Sequence, residues 1–225
     1  MPLGEPLIGL KTFAAEALVT FSTTAAISPS SSHLASAMLD PLPLANARVV
    51  VEFGAGTGAI TRALLNAMPA ESKLLAFEIN SRFIRYLEQT LSDPRLILIN
   101  ASVTTLDQEL RRRNIQHVDA AVSSLGLGLM PEQQRRRLFR KLMPFLHDPA
   151  MMTQYQYIQS LQFQKGRLSR LNLRTLLGRY FDSVESKVVW RNLPPAIVFT
   201  CRAKDTAGTG RPKARRLDTV PSFSS

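Results

Sequence analysis

Residues 50–61 read VVEFGAGTGAIT, a hydrophobic run that ends in an acid, Glu52, and is followed by Gly54, Gly56 and Gly58 at alternate positions. Glycine allows the backbone angles of a sharp bend and lets a ligand lie directly against the main chain. Two kinds of ligand use such a bend where a strand passes into a helix. A dinucleotide rests its pyrophosphate on the helix N-terminus, and its G-x-G-x-x-G/A pattern is formally met by Gly54, Gly56 and Ala59. S-adenosylmethionine carries an ammonium and a sulfonium centre instead, and its pocket gains from a carboxylate beside the glycines. Glu52 is such a carboxylate, and it would repel a pyrophosphate. A second acid, Glu78, closes the next hydrophobic run, placed to accept hydrogen bonds from ribose hydroxyls of either ligand. Glu52 is therefore the discriminating residue, and it selects S-adenosylmethionine.

Few other residues are spaced for chemistry. His33 and His117 have no spacing that marks a general base, and His147 precedes Asp148-Pro149 in an expected surface turn. No metal-ligand cluster is evident, so no metal is expected. Cys201 is the sole cysteine, which rules out an internal disulfide and fits a reducing compartment.

The elements that must position these residues alternate along the chain. Strands are expected at Val49–Phe53, Leu74–Glu78, Leu96–Ile99, Val118–Val122, Met151–Tyr157, Ser183–Val189 and Ile197–Cys201. Helical patterns lie between the early ones, at Ala59–Met68, Arg82–Leu91 and Glu132–Leu142, with a weaker one near Thr104–Arg113. Such alternation implies a parallel sheet covered on both faces. The turn Asn192–Pro195 is too short for a helical crossover, so the last two strands should pair antiparallel. Residues 1–47 form a separate helical extension: Leu7, Leu10, Ala14, Ala17, Leu18 and Phe21 share one helical stripe, and Ser30–Ser32 are suited to cap a second helix through Leu39. Residues 48–204 form the α/β domain, and residues 205–225 read as a disordered basic tail.

With 28 basic against 17 acidic residues, the chain has a formal charge of +11. Such a surface attracts a polyanion, either nucleic acid or an anionic membrane. The charge gathers after the first strand, at Arg111–Arg113, Arg135–Arg137 with Arg140 and Lys141, and in the tail. The most apolar stretch, from Leu10 to Ile27, is interrupted by Lys11 and Glu16 and is no transmembrane segment, so membrane contact is expected to be peripheral.

Four stretches carry a resemblance: SPSSSHLASAM (Ser28–Met38), Val50–Thr61, AFEINSRFIRY (Ala76–Tyr86) and NLPPAIV (Asn192–Val198). VSSLGLGLMPEQQRRRLF, from Val122, adds to them. In these the chain resembles the class I S-adenosylmethionine-dependent methyltransferases. More narrowly it is similar to the bacterial phospholipid N-methyltransferases, which share ancestry with ribosomal RNA adenine dimethylases. The resemblance implies a Rossmann-like, seven-stranded sheet with the last strand antiparallel and helices on both faces. It implies that Glu52, Gly54, Gly56 and Gly58 hold the methionine half of the cofactor, that Glu78 holds the ribose, and that Ile79 packs on the adenine. Ser102 and Ser123, after the third strand and at the end of the fourth, complete the expected cofactor set.

The acceptor is then a lipid amine or an RNA adenine. The dimethylases place an Asn-(Leu/Ile)-Pro-Tyr-like motif after the fourth strand to hold a flipped base. Ser123-Ser124-Leu125-Gly126 stands there instead, and little chain follows the last strand, which disfavours nucleic acid as partner. The resemblance points to phosphatidylethanolamine, converted toward phosphatidylcholine at an anionic membrane surface on the cytoplasmic side of the bacterial inner membrane. An ornithine lipid is an alternative acceptor, and an inactive methyltransferase-fold binding module is the non-enzymatic alternative. Tyr155 and Tyr157 are candidates to orient a lipid head group, or else ordinary packing residues of the fifth strand.

Overall fold

A computed structural model describes residues 29–158, 162–164, 167–169 and 172–205. The expected helix over 7–21 and the basic tail lie outside the described residues. In chain order the elements are α1 (Pro29–Leu39), β1 (Val49–Phe53), α2 (Ala59–Ala67), β2 (Lys73–Phe77), α3 (Ser81–Thr90), β3 (Leu96–Ile99), α4 (Leu106–Arg112) and β4 (Ala120–Ser123). There follow α5 (Glu132–Leu142), β5 (Met151–Tyr157), β6 (Gln162–Gln164), β7 (Arg167–Ser169), α6 (Leu173–Leu177), β8 (Ser183–Val189) and β9 (Ala196–Arg202).

Seven strands form one sheet in the order β3-β2-β1-β4-β5-β9-β8, and β6 with β7 makes a separate antiparallel pair. β1 to β5 are mutually parallel, whereas β9 runs antiparallel to both β5 and β8. The strand expected last in sequence therefore lies inside the sheet, and β8 takes the edge. β1 and β2 are near-continuous apolar runs, VVVEF and KLLAF, because their strands are covered on both faces. On one face, Val50, Leu74, Val122 and Val198 pack beneath α1 and α2 through Leu34, Met38, Leu64 and Leu65. On the other, Phe53, Phe77 and Met152 meet α4, α5 and α6 through Leu110, Phe139 and Leu177.

Several boundaries differ from expectation. α1 begins at Pro29, so Ser30–Ser32 occupy its first turn rather than preceding it. β4 starts at Ala120, not Val118, and runs through Ser123. The weak helix near Thr104 divides into a 3-10 turn, Val103–Thr105, and α4. β6, β7 and α6 were not expected at all, being too short to carry a period. Among the described residues no helix is long and apolar enough to cross a membrane.

The topology fixes where a ligand can sit. From β1 the chain passes to β2 and β3 on one side, then crosses to β4 on the other. Neighbouring strands whose connections depart in opposite directions leave a crevice outside their carboxyl ends. Gly54 follows the carboxyl end of β1, at that crevice.

Candidate active site

The bend after β1 is held by main-chain bonds to the neighbouring strand: the N–H groups of Gly54 and Ala55 donate to the Phe77 carbonyl at 2.9 and 3.2 Å. Its glycines serve different ends. Gly58 has φ +82°, and a Cβ there would stand 2.5 Å from Leu87 Cδ2, so its lack of a side chain lets α2 start against α3. Gly56 has φ +53°, and a Cβ there meets nothing within 4 Å. The main chain at Gly56 thus faces open space, as a cradle for a ligand requires.

Both acids converge on this bend. Glu52 lies within β1 and is fully buried; one carboxylate oxygen accepts from Thr61 Oγ1 at 2.7 Å, and the other, Oε1, is buried with no partner. Burial pushes its carboxyl from 4.5 up to about 7, and Glu78 pushes the same way against the opposing effect of the Thr61 hydrogen bond. Glu78 accepts from Gly56 N–H and Asn80 N–H, each at 2.9 Å, which locks the end of β2 onto the glycine bend. Asn100 Nδ2 donates to the Glu78 carbonyl at 2.9 Å and ties in the end of β3. A cation placed here meets an unsatisfied oxygen and relieves the repulsion between two acids. A pyrophosphate would add to it. The donor set therefore fits S-adenosylmethionine.

The other expected cofactor residues stand around this centre. Ile79, next after Glu78, leaves 60% of its surface exposed, which is unusual for isoleucine and leaves an apolar face open beside the bend. Ser102 is exposed after β3, and its Oγ accepts from Thr104 N–H at 3.3 Å, capping the 3-10 turn. Ser123 pairs in register with Phe53 at the end of β4, fully buried, and its Oγ accepts from Leu125 N–H at 3.4 Å. Ser123 shapes the loop against Gly54, whose absent Cβ would lie 3.3 Å from Leu125 Cδ2.

β5 outruns β4. Ser123 is paired with Gln154, so Tyr155 and Tyr157 extend beyond the carboxyl end of β4. Both pack partly buried with the α1-facing core, the face of Glu52, and their rings meet edge to face at 5.3 Å. Burial and Tyr157 raise the Tyr155 phenol well above its ordinary value, so it stays protonated. Below it on the same face, Thr153 is in register with Val122 and hence with Glu52, roughly 10 Å across two strand spacings.

Several contributors were not singled out from sequence: Thr61, Asn80, Thr153 with its buried, unpartnered hydroxyl, and Gln154, whose Nε2 donates to the Leu125 carbonyl at 2.9 Å. Thr61 had a signal, since it lies three and four residues before the buried Leu64 and Leu65 and so faces the sheet. His33 is exposed on α1, and the other two histidines are elsewhere. His117 and His147 stack at 5.7 Å, and His117 approaches Asp119, whose carboxylate accepts the N–H groups of Arg48 and Val49 before β1 and at its start, at the opposite edge of the sheet. Among the described residues no group of acids, cysteines or histidines is arranged to hold a metal.

The basic cluster on α5 is only partly a surface feature. Arg135 is buried and donates to the carbonyls of Leu127 and Met130, bracing the loop after β4, while Lys141 pairs with Asp107 at 2.6 Å. Arg137 and Arg140 remain exposed.

Comparison with known proteins agrees with this geometry. Residues 50–148 match the family described as "Methyltransferase domain". An ornithine lipid N-methyltransferase of Singulisphaera acidiphila is 31% identical over 179 residues, which span 79% of this chain and 88% of that protein. The ribosomal RNA small subunit methyltransferase H of Aromatoleum aromaticum is 34% identical over 80 residues, 36% of this chain but 25% of that protein. Among solved structures, 1,6-didemethyltoxoflavin-N1-methyltransferase of Burkholderia thailandensis, with S-adenosylhomocysteine bound, superposes with TM-score 0.62 at 20% identity, covering 91% of this chain and 93% of that one. Magnesium protoporphyrin IX methyltransferase of Synechocystis PCC 6803, with S-adenosylmethionine bound, gives 0.52 at 11% identity, covering 90% and 87%. At those identities the structures speak for the fold, and the 31% relative matches over 79% of this chain. With the acid-flanked glycine cradle at the switch point, S-adenosylmethionine is the cofactor, and the chain belongs to the class I S-adenosylmethionine-dependent methyltransferases.

Proposed function

We propose that the chain transfers methyl groups from S-adenosylmethionine to the amine nitrogen of a membrane amino lipid. The observation that carries this reading is the 31% identity to a lipid N-methyltransferase over 88% of that protein's length. The ribosomal RNA relative matches over a far smaller share of its own chain. The sequence resemblance favours phosphatidylethanolamine, and the name of the relative favours an ornithine lipid; both present a primary amine on a two-chain lipid.

In this reading Glu52, Gly54, Gly56 and Gly58 hold the methionine half of the donor, Glu78 and Ile79 the ribose and adenine, with Ser102 and Ser123 supporting the rim. When bound, the donor supplies an electrophilic methyl on sulfur. The amine must arrive with its lone pair free and in line with that methyl, so orientation carries much of the rate. An ammonium has to give up one proton first. Tyr155, protonated at neutral pH, can accept that group's N–H hydrogen bonds and orient it but cannot serve as the base. The paired rings of Tyr155 and Tyr157 offer π-faces that attract a methylated ammonium.

The test supplies radiolabelled S-adenosylmethionine with vesicles containing phosphatidylethanolamine, vesicles containing ornithine lipid, or ribosomal RNA. Label in one lipid arm supports the reading and names the head group. Label confined to RNA refutes it.

A further inference from the structure

The turn from β8 to β9 carries large apolar side chains in water. Trp190 is 71% exposed and Leu193 is 81% exposed, and Val188, two residues before the tryptophan, is 38% exposed. Single exposed apolar residues are ordinary; a tryptophan and a leucine projecting together from a fixed turn are not. The turn is fixed from inside: Asn192 is buried, its Nδ2 donates to the Pro194 carbonyl at 2.7 Å, and its N–H donates to the Val189 carbonyl at 3.4 Å. Trp190 and Leu193 are thus held outward by a buried amide between them.

The position of this turn matters as much as its composition. β8 runs parallel to β1 to β5, so its end lies at the carboxyl edge, where the glycine bend also lies. Ala196 is in register with Tyr157, and Ile158 N–H donates to the Pro195 carbonyl at 3.0 Å, so the turn adjoins the two tyrosines. Exposed Lys187 and Arg191 flank the apolar residues. An aromatic–aliphatic tip flanked by cations matches the interface of an anionic bilayer, where tryptophan sits at head-group depth and each basic residue adds attraction.

We propose that the Trp190–Leu193 turn is a membrane wedge that enters the head-group region of an anionic bilayer and sets the carboxyl edge of the sheet against the lipid surface. This rests on the reading that the acceptor is a lipid. It places the acceptor tyrosines beside the point of insertion, so a head group reaches them without the lipid leaving the bilayer.

Trp190 is the only tryptophan of the chain, so its fluorescence reports the wedge directly. The full-length protein is mixed with phosphatidylcholine vesicles containing phosphatidylglycerol, or with phosphatidylcholine alone. Expected are a blue shift of emission, protection from iodide, and quenching by lipids brominated on the acyl chain, all stronger with phosphatidylglycerol. A variant carrying Trp190→Ser and Leu193→Ser should partition at least about tenfold more weakly, from the lost apolar burial. Its far-UV spectrum and S-adenosylhomocysteine affinity establish that it is folded. Trp190 staying open to iodide on vesicles that bind the protein overturns the wedge, as does unchanged partitioning of the variant. Iodide protection that grows with protein concentration in the absence of lipid also overturns it, in favour of contact between copies. The two proposals fail separately: lipid methylated while Trp190 stays in water removes only the wedge, and label in RNA with Trp190 in the bilayer removes only the lipid acceptor.

Discussion

Replacing Glu52 by glutamine should make the protein more stable and useless as a cofactor binder. Glu52 is fully buried, one oxygen has no partner, and burial lifts its carboxyl from 4.5 to about 7. The folded protein therefore holds this proton more tightly than the unfolded chain does. By linkage, its contribution to stability is greatest below about pH 4.5 and is lost as pH rises to about 7, after which it is flat. A shift of that size corresponds to about 3 kcal/mol. Glu52→Gln removes the titration and keeps the shape, so urea unfolding followed by circular dichroism should show the variant up to about 3 kcal/mol more stable at pH 8, with the gap closing toward pH 4.5. S-adenosylmethionine at a thousand times its dissociation constant should reverse the order, because it adds about 4.1 kcal/mol only to the protein that binds it. Coincident stability profiles for the two proteins between pH 5 and 8 would refute the claim that an uncompensated carboxylate waits in the bend.

The same titration should govern affinity in the native protein: binding of S-adenosylhomocysteine weakens about tenfold per pH unit below about pH 7 and levels off above it, read by calorimetry. Thr61→Val removes the hydrogen bond that lowers the Glu52 carboxyl, so the midpoint of that pH profile should move to higher pH. Gly56→Ala and Gly58→Ala both place a side chain at positive φ, at a cost of about 1–2 kcal/mol. Only at Gly58 does the new Cβ meet Leu87, so that variant should lose more in urea, while Gly56→Ala should lose cofactor affinity out of proportion to its stability. Arg135→Ala strips the Leu127 and Met130 carbonyls of a buried donor and should lower the free energy of urea unfolding by about 1–3 kcal/mol.

Much of the scaffold was legible because its strands are continuous apolar runs with clear ends. VVVEF and LILI announce themselves, and β5 and β8 appear with the expected bounds. The glycine bend was legible because Glu52 has no reason to interrupt a buried strand unless something cationic meets it. Other features were obscured by competing signals. Serine hydroxyls at Ser30–Ser32 read as caps, although they lie within α1 (Pro29–Leu39). Arg135 read as surface charge, although it shares a helical face with Leu138, Phe139 and Leu142. The QFQ and RLS strands and the five-residue α6 have no period to detect. The wedge at Trp190 was invisible in sequence because exposure depends on which neighbours the fold supplies.

We propose that the acid-flanked bend delivers a methyl group to an amino lipid. Mass spectrometry of lipids from a bacterium that lacks N-methylated lipids, expressing either the native chain or Glu52→Gln, tests it most directly. Amino lipids heavier by one or more CH2 units are expected with the native chain and none with the variant. An unchanged lipid profile, in cells where the native chain is folded and binds S-adenosylmethionine, would contradict it.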